Sequence, residues 1–501
     1  MRAGFVSIIS LLTISNIIAK ILGFGKDILI SYYYGTSDLT DGFFLAFSIP
    51  TIIIGVFTAS TDSAIIPQYN RLYLTAGRKE ADQNFSNIIN VMSVIGIILS
   101  VIICVFPSFF VELFAPGFND EQRQFSIFFL RLFSFLGVFH ILFCFFCSYT
   151  IRYKHVVTRS ILAFSTNVIV ILALFIQPDP RMIFPAIAFL VGSVIQGVLP
   201  IYSAVRIGYE HEWSINIKSK EFKTFLMIFM PIMLASFLVE LNMFVDRFVA
   251  SNFGNGSVSS LNYAIRLTSI FDTMMVVGIG VVILPYLSKL NVSGDKKKMK
   301  ESSTQILKVL FVCLLPFAIF SFLLSDKIIE IVYMRGKFDM ESVNIVGRLF
   351  QFYSPIILFL PVQSVLARFF HSMEDTRTPL YATVVSVIIN IVLSILLAKF
   401  IGLNGIAIAT TIATFINVML LCYYSSVKIG WDFTRFGFKD FLKILLSGAF
   451  MSVMIWFISS HTTDVWITVF MSVLLGFCLY FSCVFILMRN DIKTFCKLLK
   501  H

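Results

Sequence analysis

Apolar residues run in long stretches along this chain, separated by short polar segments rich in Gly, Pro, Lys and Arg. Each stretch holds about 20 residues or more, enough for a helix to cross a hydrocarbon core of about 30 Å. We count fourteen of them, from 5–34 and 39–70 at one end to 441–459 and 465–488 at the other. Where no water is at hand, every backbone N–H and C=O must pair inside its own segment, and helices do this. The pattern therefore predicts an all-α polytopic membrane protein of about fourteen transmembrane helices. The first stretch is long, carries charges and lacks a small-residue cleavage site, so it reads as a span and not as a removable signal peptide.

The polar residues that punctuate the stretches repeat. Displaced by 219 positions, "KDILISYYYGTSDLTDGFFLAF" falls on "VDRFVASNFGNGSVSSLNYAIR", with Asp27 on Asp246, Gly35 on Gly254 and Phe44 on Tyr263. At 218, Pro67 falls on Pro285 and Arg159 on Arg377. At 219 again, Ile187 and Ala188 fall on Ile406 and Ala407. The displacement equals six spans. An even number gives both halves the same orientation, as in parallel repeats related by an axis along the membrane normal. Two six-helix lobes follow, at 1–210 and 215–427, around a central cleft, with a C-terminal helix pair and basic tail at 428–501. Rocking such lobes exposes the cleft to each face in turn, which is the layout of an alternating-access transporter.

Composition agrees, and charge placement refines the picture. Of 501 residues, 58% are hydrophobic and 13% charged, against roughly 25% charged in soluble proteins. A net charge of +11 invites a nucleic-acid partner, but its distribution argues otherwise. With both termini cytoplasmic, the inner segments hold Arg78, Lys79, Arg152, Lys154, Arg159, the run Lys296, Lys297, Lys298 and Lys300, and Lys493, Lys497 and Lys500 in the tail. The outer loops hold only Arg123, Arg181, Lys327, Arg335, Lys337 and Lys399. This is the positive-inside rule, so the basicity is topological and no nucleic-acid partner is expected. Cys144 and Cys147 form a C-F-F-C inside an apolar run with no second ligand pair, and read as small hydrophobes; no metal site is expected from them.

Ionisable residues at membrane depth are costly and usually face a cavity or each other. The first lobe holds Lys20, Lys26, Asp27, Asp41 and Asp62. The second holds Glu240, Asp246, Arg247, Arg266 and Asp272, with Arg348 and Arg368 in span ten. They concentrate in spans one, two, seven and eight, the repeat-equivalent helices expected to line the cleft. Lys20 and Asp27, seven residues apart, share nearly one helix face, so Asp27 is expected to hold Lys20 in place or offset its charge. Gly23, Gly25 and Pro50 are expected bending points. A surplus of cations in the cleft implies an anionic cargo such as phosphate, pyrophosphate or carboxylate.

The stretch "KILGFGKDILISYYYGTSDLTDGFFLAFSIP" resembles the opening of the MurJ (MviN) family of lipid II flippases, within the multidrug/oligosaccharidyl-lipid/polysaccharide (MOP) exporter superfamily. "NYAIRL" (262–267), "ILPYLS" (283–288), "RGKFD" (335–339) and "DTRTPLYATVV" (375–385) resemble further family stretches in the same order, over about residues 1–430. The resemblance implies a flippase in the bacterial cytoplasmic (inner) membrane, moving lipid II from inner to outer leaflet for peptidoglycan synthesis. The family's cleft arginines fall on Lys20, Lys26 and Arg266, and its span-two aspartate on Asp41, so the expected cleft set is Lys20, Lys26, Asp27, Asp41 and Arg266. A further family arginine falls near Ile54, and a residue commonly polar or acidic falls on Ile265. The sodium site of some members falls on Asp246, Asn390, Ser394 and Thr410, with Ser394 where an acid would stand.

The expected partners are an anionic polyprenyl-linked glycolipid, the bilayer and the cell-wall synthesis machinery. No cofactor is expected beyond coupling to sodium or to the membrane potential. Alternative cargoes are other polyprenyl-linked oligosaccharides of capsule, O-antigen or teichoic type, and a non-transporting scaffold is a further alternative. A drug exporter would favour acids in its cleft, against Lys20, Lys26 and Arg266. An enzyme acting on polyprenyl substrates needs an acidic metal-binding pair or general base near an aqueous face. The adjacent Asp120 and Glu121 read as a solvated turn, and no D-x-D motif occurs.

Overall fold

The computed structural model describes residues 2–153, 156–270, 296–373, 375–429 and 438–488, and every regular element in these segments is helical. The first ten helices are α1 (Arg2–Tyr34), α2 (Asp38–Thr75), α3 (Arg78–Val105), α4 (Pro107–Phe114), α5 (Asp120–Phe133), α6 (Leu136–Arg152), α7 (Val156–Ile176), α8 (Ile183–Arg206), α9 (Lys220–Ala250) and α10 (257–270). They are followed by α11 (Lys296–Leu323), α12 (Ser325–Tyr333), α13 (Met340–Tyr353), α14 (Ile356–Ser372), α15 (Arg377–Ile401), α16 (Asn404–Ile429), α17 (Phe438–His461), α18 (Val465–Met471) and α19 (Phe477–Leu487). Eleven helical stretches are long and apolar enough to cross a membrane. The sequence count of fourteen rests on three further segments. These are α1, α7 with its apolar stretch Phe164–Ile176, and 259–288, most of which lies outside the described residues.

Proline and glycine do not interrupt the first two helices. α2 runs unbroken for 38 residues through Pro50 and Pro67, and α1 continues through Gly23 and Gly25. The expected span 84–113 is instead two helices. Pro107, without an N–H to continue the ladder of α3, starts α4 afresh. The crossing at 341–371 is also in two pieces, with Ser354 and Pro355 between α13 and α14.

The repeat is visible in the elements themselves. α5 and α13 are each 14 residues long, starting at 120 and 340. α6 and α14 are each 17, starting at 136 and 356. Gly35 and Gly254, which follow α1 and the short helical turn after α9, both take positive φ, 62° and 89°. A residue with a Cβ is strained there, which explains why glycine stands at both equivalent points.

The chain divides into two compact units, residues 1–259 and 260–501. In the first, Phe57 of α2, Phe85 of α3, Phe145 and Tyr149 of α6, and Phe225 and Phe229 of α9 share one core. α9 opens the second repeat in sequence, yet it packs on α2 here, with the Phe57 and Phe229 rings 5.6 Å apart. In the second unit, Leu310 and Leu314 of α11 pack with Leu366 and Phe370 of α14 and Leu421 of α16. The C-terminal pair has its own seam of Met451, Ile455, Tyr480 and Val484. Large apolar side chains also point outward, among them Val453, Trp456 and Phe470 at 64, 68 and 66% exposure. Lipid is the solvent for such faces.

The α15–α16 hairpin is the tightest turn in the second unit. A Cβ on Gly405 would lie 2.4 Å from the carbonyl carbon of Leu397 and 2.6 Å from the Ala398 nitrogen. Both are backbone atoms with little room to yield. Gly405→Ala is therefore expected to lower stability by about 1–3 kcal/mol. Gly25→Ala, with nothing within 4 Å, should leave it unchanged or raise it by up to ~1 kcal/mol. Thermal unfolding in detergent reads both, and a Gly405→Ala melt equal to wild type would refute the close approach.

Candidate functional site

Lys26 and Asp27 are sequence neighbours on α1, and adjacent helical positions ordinarily diverge. Here the lysine stem folds back, so that Nζ lies 3.3 Å from Asp27 Oδ1, with the side chains only 7 and 1% exposed. The ammonium also sits 4.6 Å from the Phe189 ring centroid and 6.0 Å from that of Phe47. A carboxylate and two ring faces thus replace the water this cation gives up. The same-face spacing pointed to Lys20 as the partner of Asp27, and the spacing gave no sign of this ion pair with Lys26. Lys20 lies exposed on α1.

Asp41 is fully buried near the start of α2. Its Oδ2 accepts hydrogen bonds from Gln122 Nε2 (2.9 Å) and the Gly256 N–H (2.7 Å), and Oδ1 accepts from the Ser259 N–H (2.7 Å). Gly256 and Ser259 open α10, where free N–H groups and the helix dipole favour an anion. Gln122 belongs to the capping box that Asn119 forms at the start of α5. Beside it, Asn255 and Asn119 both donate to Asp38 Oδ2, at 3.2 and 3.4 Å. The carboxylate expected to meet cargo here joins the starts of α2, α5 and α10.

A third charged group belongs to the first unit and is partly open. Arg159 of α7 makes a bidentate pair with Asp62 of α2, Nη2–Oδ2 at 2.8 Å and Nη1–Oδ1 at 3.2 Å, and Ser148 of α6 donates to the same carboxylate. One helical turn away, His140 Nε2 and Thr58 Oγ1 are 2.8 Å apart. Sequence reasoning noted Asp62 and Arg159 singly. Their pairing had no sequence signal, since Asp62 and Arg159 are 97 positions apart.

The remaining expected residues divide between the units. Asp246 is buried on α9 of the first, while Arg266 is half-buried on α10 in the second, beside Ile265. Asp272 lies outside the described residues, as does the side chain of Ile54. Asn390, Ser394 and Thr410 form one cluster between α15 and α16. Asn390 Nδ2 donates to Thr410 Oγ1 (3.1 Å), and Ser394 Oγ donates to Asn390 Oδ1 (3.2 Å). These neutral oxygens are engaged with one another and no carboxylate joins them from within the cluster. A hard cation is held by several converging oxygens, usually including carboxylates, and the carboxylate of the expected set, Asp246, belongs to α9 of the first unit. Among the described residues no cluster of three or more His, Cys, Asp or Glu is placed to hold a metal.

Buried charges on long helices, in a chain of two repeated helical halves, invite comparison with known membrane carriers. The family model described as "Lipid II flippase MurJ" matches residues 30–477. The chain belongs to this family. The lipid II flippase MurJ of Thermosipho africanus is 28% identical over 492 residues, which is 97% of each chain. A solved structure of a lipid II flippase MurJ in an inward closed conformation matches with a TM-score of 0.85 and 27% identity, over 96% of this chain and 99% of that one. An inward-facing multidrug-resistance MATE transporter of the MOP superfamily matches with a TM-score of 0.68 and 14% identity, over 83% of this chain and 98% of that one, a likeness of fold alone.

The MurJ-family stretches recognised in the sequence turn out to be largely caps and packing. In "DTRTPLYATVV", Asp375 accepts from the Arg377 and Thr378 N–H groups at the start of α15 and from Lys428 Nζ at the end of α16. Burial alone would raise its pKa, but hydrogen bonds from Lys428 and Thr378 hold the carboxyl down at about 2. In "RGKFD", Asp339 caps α13 through the Ser342 N–H and hydroxyl, which keep its carboxyl below the usual range. Tyr263 of "NYAIRL" is buried, its ring 5.2 Å from Tyr333 and 5.7 Å from Phe338. "ILPYLS" lies outside the described residues.

Two outcomes follow. Asp41→Asn puts an amide N–H₂ against backbone N–H groups, so about 1–3 kcal/mol of stability should be lost. Hydrogen exchange at the Gly256 and Ser259 amides should quicken, and unchanged exchange would remove Asp41 as the cap of α10. Lys26→Met strands a buried carboxylate and should cost about 3–5 kcal/mol, whereas Lys26→Met with Asp27→Leu should recover most of it. Unfolding titrations of the two variants measure this, and equal losses would mean that the pair is not coupled.

Proposed function

We propose that this chain is a lipid II flippase of the bacterial cytoplasmic membrane. It would carry undecaprenyl-pyrophosphate-linked peptidoglycan precursor from the inner to the outer leaflet by alternating access, with both termini in the cytoplasm. The observation that carries this reading is the family match over residues 30–477. Lys26, a cation kept at membrane depth by Asp27 and two aromatic faces, supports it. Lys20 lies ~9 Å away along the same helix, and Arg266 adds a third cation on α10. Lys20 and Lys26 suit a diphosphate headgroup, where drug cations would ask for acids. Lysines at two of the family's arginine positions keep the charge but give up the bidentate fork.

For coupling, this reading favours the membrane potential over sodium. An anionic lipid leaving the negative inner side is driven outward, and a net-cationic empty carrier is drawn back toward it. Each charge moved across gains about 2.3 kcal/mol per 100 mV. Both half-cycles run downhill on the same field.

Complementation is the test. In a bacterium depleted of its essential lipid II flippase, the wild-type chain is expected to restore growth, while Lys26→Ala and Arg266→Ala, inserted at equal levels, are expected to fail. Growth with both variants would remove the cations from the mechanism. An inserted wild-type chain that fails would reassign the cargo to another polyprenyl-linked glycan.

A further inference from the structure

The segment joining α8 to α9 is the most unusual part of the first unit's surface. Residues 209–216 have no regular secondary structure, and from 212 to 217 alternate residues behave differently. The even positions are tied down by their backbone. The Glu212 N–H donates to Ser86 Oγ, Asn90 Nδ2 donates to the Glu212 and Ser214 carbonyls at 3.0 and 3.1 Å, and Asn216 exchanges two hydrogen bonds with the Asn87 amide. The odd positions, Trp213, Ile215 and Ile217, point away from the protein at 89, 63 and 58% exposure. The segment is thus pinned on one side by the polar face of α3.

Trp213 is also aimed. Tyr209, buried, shares a 2.7 Å hydrogen bond with Ser86 and a 2.9 Å one with His211 Nδ1, and the His211 and Trp213 rings meet edge to face at 4.8 Å. Burial lowers the His211 pKa, so at neutral pH this string carries no charge. Lys218, Lys220 and Lys223 follow directly and are exposed. Of the nearby acids, Glu212 is engaged by Gln83 Nε2 at 2.8 Å.

We propose that Trp213, Ile215 and Ile217 form an interfacial anchor that inserts among the headgroups of an anionic leaflet, with Lys218, Lys220 and Lys223 on its phosphates. The position fits, because the segment links the ends of two helices that cross the membrane, where the headgroup zone begins. The chemistry fits as well: Trp is the side chain most at home in that zone, with an apolar ring and one N–H donor. Lysines beside it are drawn to acidic lipid. Because the strip is held in shape by α3, little conformational entropy is lost on insertion. The anchor holds the linker between the two repeats in the plane of the membrane, a role independent of which lipid is carried.

Fluorescence tests this on the full chain in nanodiscs. With Trp431→Phe, Trp456→Phe and Trp466→Phe, Trp213 is the sole reporter. If that variant does not fold, the difference between wild type and Trp213→Phe gives the same signal. Lipids brominated near the glycerol end should quench Trp213 strongly and those brominated near the methyl end weakly, while aqueous iodide should quench it several-fold less than a free indole. Adding phosphatidylglycerol to phosphatidylcholine discs should deepen the lipid quenching, and Lys218→Gln, Lys220→Gln and Lys223→Gln together should abolish that increase. Iodide quenching equal to that of free indole, with no effect of brominated lipid, would overturn the anchor and leave the strip as a surface for a soluble partner. Lipid quenching that ignores phosphatidylglycerol would overturn the lysine contacts.

Discussion

Hydrocarbon offers no hydrogen bonds, so each polar group that enters it must find its partners inside the protein, and this constraint shapes the chain at every scale. At the smallest it makes every described element a helix. One level up, it decides how a charge can be kept. Lys26 is tolerated because Asp27 and two phenyl faces stand where water would, and Asp62 because Arg159 meets it with two parallel hydrogen bonds. The first pair is almost fully buried and the second partly open, with side chains 37 and 25% exposed. Burial raises the cost of losing a partner, so the Lys26–Asp27 pair is the more deeply committed of the two.

The same constraint explains which features could be read from the sequence. Hydrophobic run length is a local property, and it located nearly every helix. The repeat was legible because Gly, Asp and Pro are conspicuous against an apolar background. Gly35 and Gly254 proved to share a positive φ at equivalent helix ends. Partners were not legible. Asp41 meets Gln122 across 81 positions and Gly256 across 215, distances over which no spacing rule operates. At Asp27 same-face geometry missed the ion pair with Lys26, because it counts helix angle and ignores the reach of a lysine stem. The break at Phe106 was lost for a similar reason: hydropathy continues through it, and only the missing N–H of Pro107 marks it.

Asp41 shows how one buried carboxylate can tie several helix starts together. Its three donors belong to the starts of two other helices, and two of them are the backbone N–H groups of an opening turn. An anion in that position satisfies groups that otherwise have no partner in the helix, and it does so by geometry that disappears if the helix start moves by an ångström or two. Such a bond set is directional and strong while it lasts, and all of it is lost together. This is the behaviour wanted where helices must hold one arrangement and then exchange it for another.

The family stretches make a complementary point about where specificity resides. Asp339 and Asp375 cap helices, and Tyr263 packs against Tyr333 and Phe338. Residues of this kind fix helix ends and the spacing between elements, so they identify a fold whatever it transports. The cations on α1 and α10 are different: a helix gains nothing from Lys20 or Lys26 that an apolar residue would not supply more cheaply. Asp27 answers the charge of Lys26 within the protein, and in the proposed flippase the diphosphate of the lipid is the further anion these cations meet. Lysine in place of arginine then has a physical consequence. A compact ammonium on a flexible stem follows a moving phosphate more easily than a planar fork does, and releases it more readily, because it binds as a point charge with no second hydrogen bond to break. For a carrier that must let go of its cargo on the far side, weaker and less directional binding shortens the bound state as well as lowering affinity.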